Sequence, residues 1–353
     1  MKLNWKGTIQ ALLSLTLIGW ATPVLSSPIH VLIDVRGNVE VKKTQWKDFY
    51  QAESGITLSG EDKIKLRSNA SVTVYCSDLN QRTVEQAGTY PVSEVCPERE
   101  AVIRLCPDCN NDKLRDPTLR EEKLKELPYL ISSRNTYVLN EPLTIRWNEV
   151  PGATNYTVKV EDWEGETNET QILYDGKLEP GKSYFVTIVA DNGARSAQEG
   201  EHWFSVLEDE EAKTVREQVA NIKQQELTQE QEGLILAYFY RGNQLNEDNQ
   251  LNFEVIQVLE GLVKSGSQTA TVYQLLGDSY RQVGLSLMAK EVYQQGLALT
   301  VEEEMSEVKA MMQLGLGKVE YVLGNGDEAA EWLEKARVNY LALVKSYITK
   351  RKN

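Results

Sequence analysis

The sequence predicts a multidomain chain: a small β-domain, then a β-sandwich, then an all-α helical-hairpin solenoid. Three observations carry that expectation. Short runs with apolar residues at every second position fill the chain from Ile29 to about Val95, and a second set runs from Leu143 to Ala190. A period of two is the signature of strands. After Val206 the apolar spacing becomes helical and stays so. With 353 residues, 41% of them hydrophobic, the chain is long enough for two or three domains with ordinary cores.

Residues 1–26 read as a signal peptide. Lys2 and Lys6 precede an uncharged, mostly apolar run from Gly7 to Val24, and small residues follow at Ser26 and Ser27. The run is short for a bilayer span, which needs about 20 apolar residues. Cleavage near Ser26 and export to the periplasm or extracellular space are expected, with no membrane insertion afterwards. The formal charge of −14 becomes more negative once the two lysines leave. Such a surface repels phosphate backbones, so nucleic acid is excluded as a partner.

The β-domain is expected over 27–98, in runs such as "IHVLIDV", "NVEVK", "DKIKL" and "SVTVYCS". Gly60 is expected to supply a backbone conformation that other residues resist. Cys76, Cys96, Cys106 and Cys109 are an even number clustered in one third of an exported chain, which points to disulfides. The pair Cys106 and Cys109 also fits half of a zinc site or a redox motif, and four cysteines allow three pairings. The order "RGNVEV", "GITLSGEDKIKL", "SVTVYCSD" resembles the FecR-type β-domain. That resemblance implies a fold only.

Residues 99–132 form a Cys-containing connector in which "DPTLREEKLKELPYL" makes one short amphipathic helix. The sandwich follows over 133–207. Leu143, Ile145 and Trp147 share one strand face, and Tyr156, Val158 and Val160 share the next. Trp147 with Leu178, Pro180, Gly181 and Tyr184 resembles a fibronectin type III or immunoglobulin-like module, in which the Trp fills the core and a Leu-x-Pro-Gly-x-x-Tyr corner introduces a later strand. The two histidines, His30 and His202, head no triad or metal motif, and no phosphate loop is present. A non-enzymatic protein with no cofactor and no metal is expected.

Helices fill 208–353. Tyr273, Leu276, Gly277 and Tyr280, followed by Ala289 and Tyr293, resemble a tetratricopeptide repeat. Leu316, Gly317, Ala329 and Leu333 repeat the pattern forty residues on, and Leu236, Ala237 and Tyr240 begin an earlier copy. Gly277 and Ala289 are expected on facing helices, Asp327 as an N-cap, and Ala336 to Lys350 as a capping helix. The repeat resemblance implies that a concave face binds a protein or peptide partner. Carried over, its positions are Tyr238 and Arg241, then Thr271, Gln274, Asp278 and Arg281, then Leu314, Lys318 and Tyr321. These are expected to be solvated. Together the modules resemble exported FecR-like and tetratricopeptide proteins of cyanobacteria, which implies a periplasmic interaction adaptor. The alternative is a cell-wall or glycan-binding protein whose β-domains use Trp46, Tyr75 or Trp163 as stacking platforms.

Overall fold

The computed structural model describes residues 28–97, 121–242, 251–301 and 306–344. The leader, Cys106, Cys109 and the residues after Val344 lie outside them. The order of strands followed by helices is as expected: a β-rich N-terminal part made of four sheets, then an all-α part.

Eight strands form the first unit: β1 (His30–Arg36), β2 (Val39–Lys42), β3 (Tyr50–Gln51), β4 (Thr57–Leu58), β5 (Lys63–Leu66), β6 (Ser71–Tyr75), β7 (Gln81–Val84) and β8 (Gly88–Pro91). They pair into two four-stranded antiparallel sheets, ordered β4-β1-β6-β7 and β3-β2-β5-β8. Alternation turns Val39, Val41, Ile64, Val72 and Val74 inward. A disulfide joins Cys76, at the end of β6, to Cys96, after the helical turn Val92–Val95 that follows β8, so it staples one sheet to the other. The turn before β5 is organised by Asp62 rather than by Gly60. The Asp62 carboxylate accepts the Ser59 N–H at 2.8 Å and the Thr44 N–H at 2.9 Å, whereas Gly60 is not among the positive-φ glycines.

The second unit holds β9 (Thr136–Val138), β10 (Leu143–Arg146), β11 (Tyr156–Val160), β12 (Trp163–Thr167), β13 (Gln171–Tyr174), β14 (Ser183–Ala190) and β15 (His202–Val206). A five-stranded sheet, β12-β11-β14-β15-β9, faces the pair β10-β13 across a core containing Trp147 and Tyr156. Tyr184 closes the expected corner. Its hydroxyl donates to the Lys177 carbonyl at 3.0 Å and accepts the Glu179 N–H at 2.8 Å.

Among the described residues seven long helices follow: α1 (Asp209–Lys223), α2 (Gln229–Gly242), α3 (Asn252–Lys264), α4 (Ala270–Gln282), α5 (Ser286–Ala298), α6 (Glu307–Val322) and α7 (Gly326–Leu343). They pack in succession, α2 on α3, α4 on α5 and α6 on α7, with α4 and α5 also meeting α6. A Cβ on Gly277 of α4 would lie 2.5 Å from the Tyr293 ring of α5, and one on Gly317 of α6 would lie 2.7 Å from Leu333 of α7. The forty-residue offset read from the sequence is therefore a repeated contact, although Tyr293 rather than Ala289 is what Gly277 admits. The turns repeat as well. Gly284 and Gly324 have φ of 83° and 86°, and the next residue's N–H reaches back to the Tyr280 and Glu320 carbonyls, the Schellman arrangement that ends a helix. Asn325, not Asp327, occupies the N-cap of α7, and α7 runs through Ala336 without a break.

The units are not beads on a string. One continuous core includes Val31, Tyr75 and Trp46 of the first unit with Phe239, Leu276 and Leu316 of the helices. The Trp46 backbone bridges to Val344, the Tyr50 hydroxyl donates to the Ala342 carbonyl, and Lys43 is ion-paired with Glu307. The sandwich is tied on separately. Arg134, 3% exposed, donates to the Val283 carbonyl in the α4–α5 turn at 2.8 Å and to both Glu199 oxygens.

Candidate functional site

The nine residues expected on the binding face fall into three environments. Tyr238 and Thr271 lie under the chain's own β-domain. The Tyr238 hydroxyl donates to the Gly55 carbonyl at 2.6 Å, and the Thr271 hydroxyl donates to the Ser54 carbonyl at 3.2 Å. Gly55, with φ of 86°, fits there because a Cβ would come within 2.9 Å of Thr271. The segment around Ser54 and Gly55 thus covers the helices α2 and α4 at Tyr238 and Thr271.

Gln274, Asp278, Arg241 and Arg281 form the second group, and the expectation that they are solvated is wrong. Gln274 and Asp278 are 3% and 4% exposed. The Asp278 carboxylate accepts from the Tyr293 hydroxyl and the Gln274 amide, with Arg241 at 3.9 Å and Arg281 at 3.7 Å. Burial raises the Asp278 pKa, opposed by Arg241 and the Tyr293 bond. The local reason for this burial is Gly277, which lets Tyr293 come close enough to bond the neighbouring Asp278. Lys318 completes the cluster from α6. Burial, then the charge of Arg281, pushes its ammonium down to about 8, while Asp278 pulls the other way. Among the described residues, three cationic side chains thus gather near the Asp278 carboxylate.

The third group lies along α6. Leu314 is 39% exposed and Tyr321 is half-buried, and with Lys318 they occupy positions i, i+4 and i+7, which share one helix face.

Two of the three stacking platforms named from sequence are buried, and the third, Trp163, is half-buried. Trp46 and Tyr75 are 3% and 0% exposed and belong to the shared core. Trp163 donates its indole N–H to Asp175 at 2.7 Å and packs edge-on against Tyr174. What sequence reasoning missed is Phe185, 53% exposed in mid-strand on β14. The signal was available, since Phe185 falls out of phase with the inward Tyr184 and Val186.

His30, Cys76 and Cys96 do approach one another, with one ligand atom from each within 4.8 Å of the others. The cluster does not fit a metal. Both sulfurs are spent in the disulfide, and His30 Nδ1 accepts the Ser77 N–H at 3.1 Å, which engages the lone pair of a neutral ring. His202 sits with Arg134 and Glu199. Burial pushes the Glu199 carboxyl up, but the bonds from His202 and Arg134 outweigh it and hold the group down at about 2. No helix among the described residues is long and apolar enough to cross a membrane.

Neither family models nor curated proteins give a match to this chain. Among solved structures, a polysaccharide lyase aligns with 88% of this chain and 76% of its own length at 8% identity and a TM-score of 0.20. A superposition that loose carries no argument about fold or chemistry.

Proposed function

We propose that the chain is a non-enzymatic exported adaptor that binds an acidic segment of a protein partner along the open part of the helical groove. The observation that supports this most is the cluster of Arg241, Arg281 and Lys318 around the Asp278 carboxylate, beside the partly exposed stripe of Leu314 and Tyr321. Basic side chains gathered at one place in a chain of net charge −14 suit recognition of carboxylates. The repeated glycine contacts of α4/α5 and α6/α7 are what the tetratricopeptide-like reading rests on. The β-domain then limits the groove, because Ser54 and Gly55 cover α2 and α4 at Tyr238 and Thr271.

A photo-crosslinker at position 314 of the full-length exported chain, expressed in its native host, tests this. A protein should be captured, and capture should fall at least tenfold in Lys318→Gln with Tyr321→Ala while the melting temperature stays within a few degrees. Affinity should also fall with added salt and as pH rises through about 8, where Lys318 loses its charge. Equal capture by wild type and the double variant would end the groove reading.

A further inference from the structure

The outer face of the five-stranded sheet carries a row of side chains that the adaptor does not use. Because Tyr184 and Val186 of β14 point into the core, Phe185 between them points out, and 53% of it is exposed. Trp203 of β15 stands directly opposite Phe185 in the antiparallel register. On its other side Trp203 meets Tyr137 of β9 edge-on, with ring centres 6.0 Å apart and planes at 83°. Tyr137 in turn packs against the core shared with the helices. Trp203 is therefore braced from the interface between sandwich and helices, and the row runs out from that interface onto the open sheet. Beyond Phe185 the row ends on Glu161, whose Oε1 accepts the Phe185 N–H at 3.1 Å.

We propose that Phe185, Trp203 and Glu161 form a binding site for a neutral glycan. Aromatic faces carry negative charge and attract the positively polarised C–H faces of a pyranose, whereas a carboxylate accepts hydrogen bonds from sugar hydroxyls. Opposed side chains on neighbouring strands stand roughly 5 Å apart at Cβ, so two consecutive sugar units can lie along the pair. The charge of the surroundings selects against uronic acid polymers. Glu161 borders the rings, and the adjacent Glu164 is already matched by Lys159 at 2.8 Å, which leaves the face without a surplus cation from that row. An exposed Phe with a braced Trp and a polar rim suits a ligand that is apolar on its faces and hydroxylated at its edges.

Affinity electrophoresis of the full exported chain tests the site, with barley β-glucan, hydroxyethyl cellulose and galactomannan as neutral probes and polygalacturonate as the anionic control. At least one neutral polymer should retard the protein, and Phe185→Ala or Trp203→Ala should weaken that retardation tenfold or more. Phe185→Ala is exposed enough to leave the melting temperature unchanged, and Trp203→Phe, which keeps a ring, should retain most of the binding. Lys318→Gln with Tyr321→Ala should leave glycan retardation untouched, which separates this site from the groove. Three results would overturn the proposal: no retardation by any neutral polymer, equal retardation of the Phe185→Ala, Trp203→Ala double variant, or retardation by polygalacturonate alone. A crosslinker at position 185 that captures a protein in the absence of glycan retardation would assign the face to a protein instead.

Discussion

Glu254 of α3 is a carboxylic acid 8% exposed beneath the sandwich, whose Oε1 accepts the Leu139 N–H at 3.2 Å. Burial pushes its pKa up to about 8. Below pH 4.5 both folded and unfolded chains hold this proton, so the group contributes no pH dependence. Between 4.5 and 8 the unfolded chain releases the proton and the folded chain keeps it, so stability falls as pH rises; above 8 the loss is complete. Urea denaturation at pH 5 and pH 8 should therefore show wild type losing a few kcal/mol more than Glu254→Gln across that window. Parallel pH profiles for the two proteins would show that Glu254 is ionised in the fold. Nothing in "NFEVIQVLEGLV" marks Glu254 as buried, because its cover comes from β9, over a hundred residues earlier. Asp278 was hidden for a related reason. Its position beside Gly277 reads as a groove face, whereas burial depends on Tyr293 bonding it from the next helix.

At the scale of elements, the helical pairs were legible because their determinants are local and repeat. Gly277 and Gly317 each sit where a Cβ would strike the partner helix, and Gly284 and Gly324 end the first helix of each pair in the left-handed region. Gly277→Ala should thus cost ~1 to 3 kcal/mol by overpacking against Tyr293, even though alanine is the better helix former by about 1 kcal/mol. The double variant Gly277→Ala with Tyr293→Phe should recover little, because the ring and not the hydroxyl meets the new methyl. Equilibrium unfolding of the three proteins decides it, and a stabilised Gly277→Ala would show that the helices can move apart freely. The sandwich corner was equally legible, since Lys177 to Tyr184 is a short stretch whose Tyr184 hydroxyl bonds within it. The Gly60 turn was not, because the residue that closes it is Asp62, reaching back to Thr44.

At the scale of the molecule, local reading fails most, since no periodicity within a helix records what docks on it. Repeat contacts are local, so the sequence suggests a helical region that folds by itself. The structure instead lays the first β-unit across it, with Tyr238, Thr271, Glu307 and the end of α7 all engaged by residues between Lys43 and Gly55. Removing that unit exposes apolar side chains of α2, α4 and α6 that now lie in the shared core, at ~25 cal/mol per Å² of lost burial. A fragment covering 208–353 should accordingly keep helical circular dichroism minima, because the α4/α5 and α6/α7 contacts remain. It should also bind a hydrophobic dye and melt broadly. Adding a separately purified 28–207 fragment should restore a sharp transition and suppress dye binding, and Tyr238→Ala with Thr271→Ala in the helical fragment should blunt that rescue. A 208–353 fragment that melts as sharply as the full chain and ignores the β-fragment would mean the first unit rests on the helices without supporting them, which would leave the whole groove open to a partner.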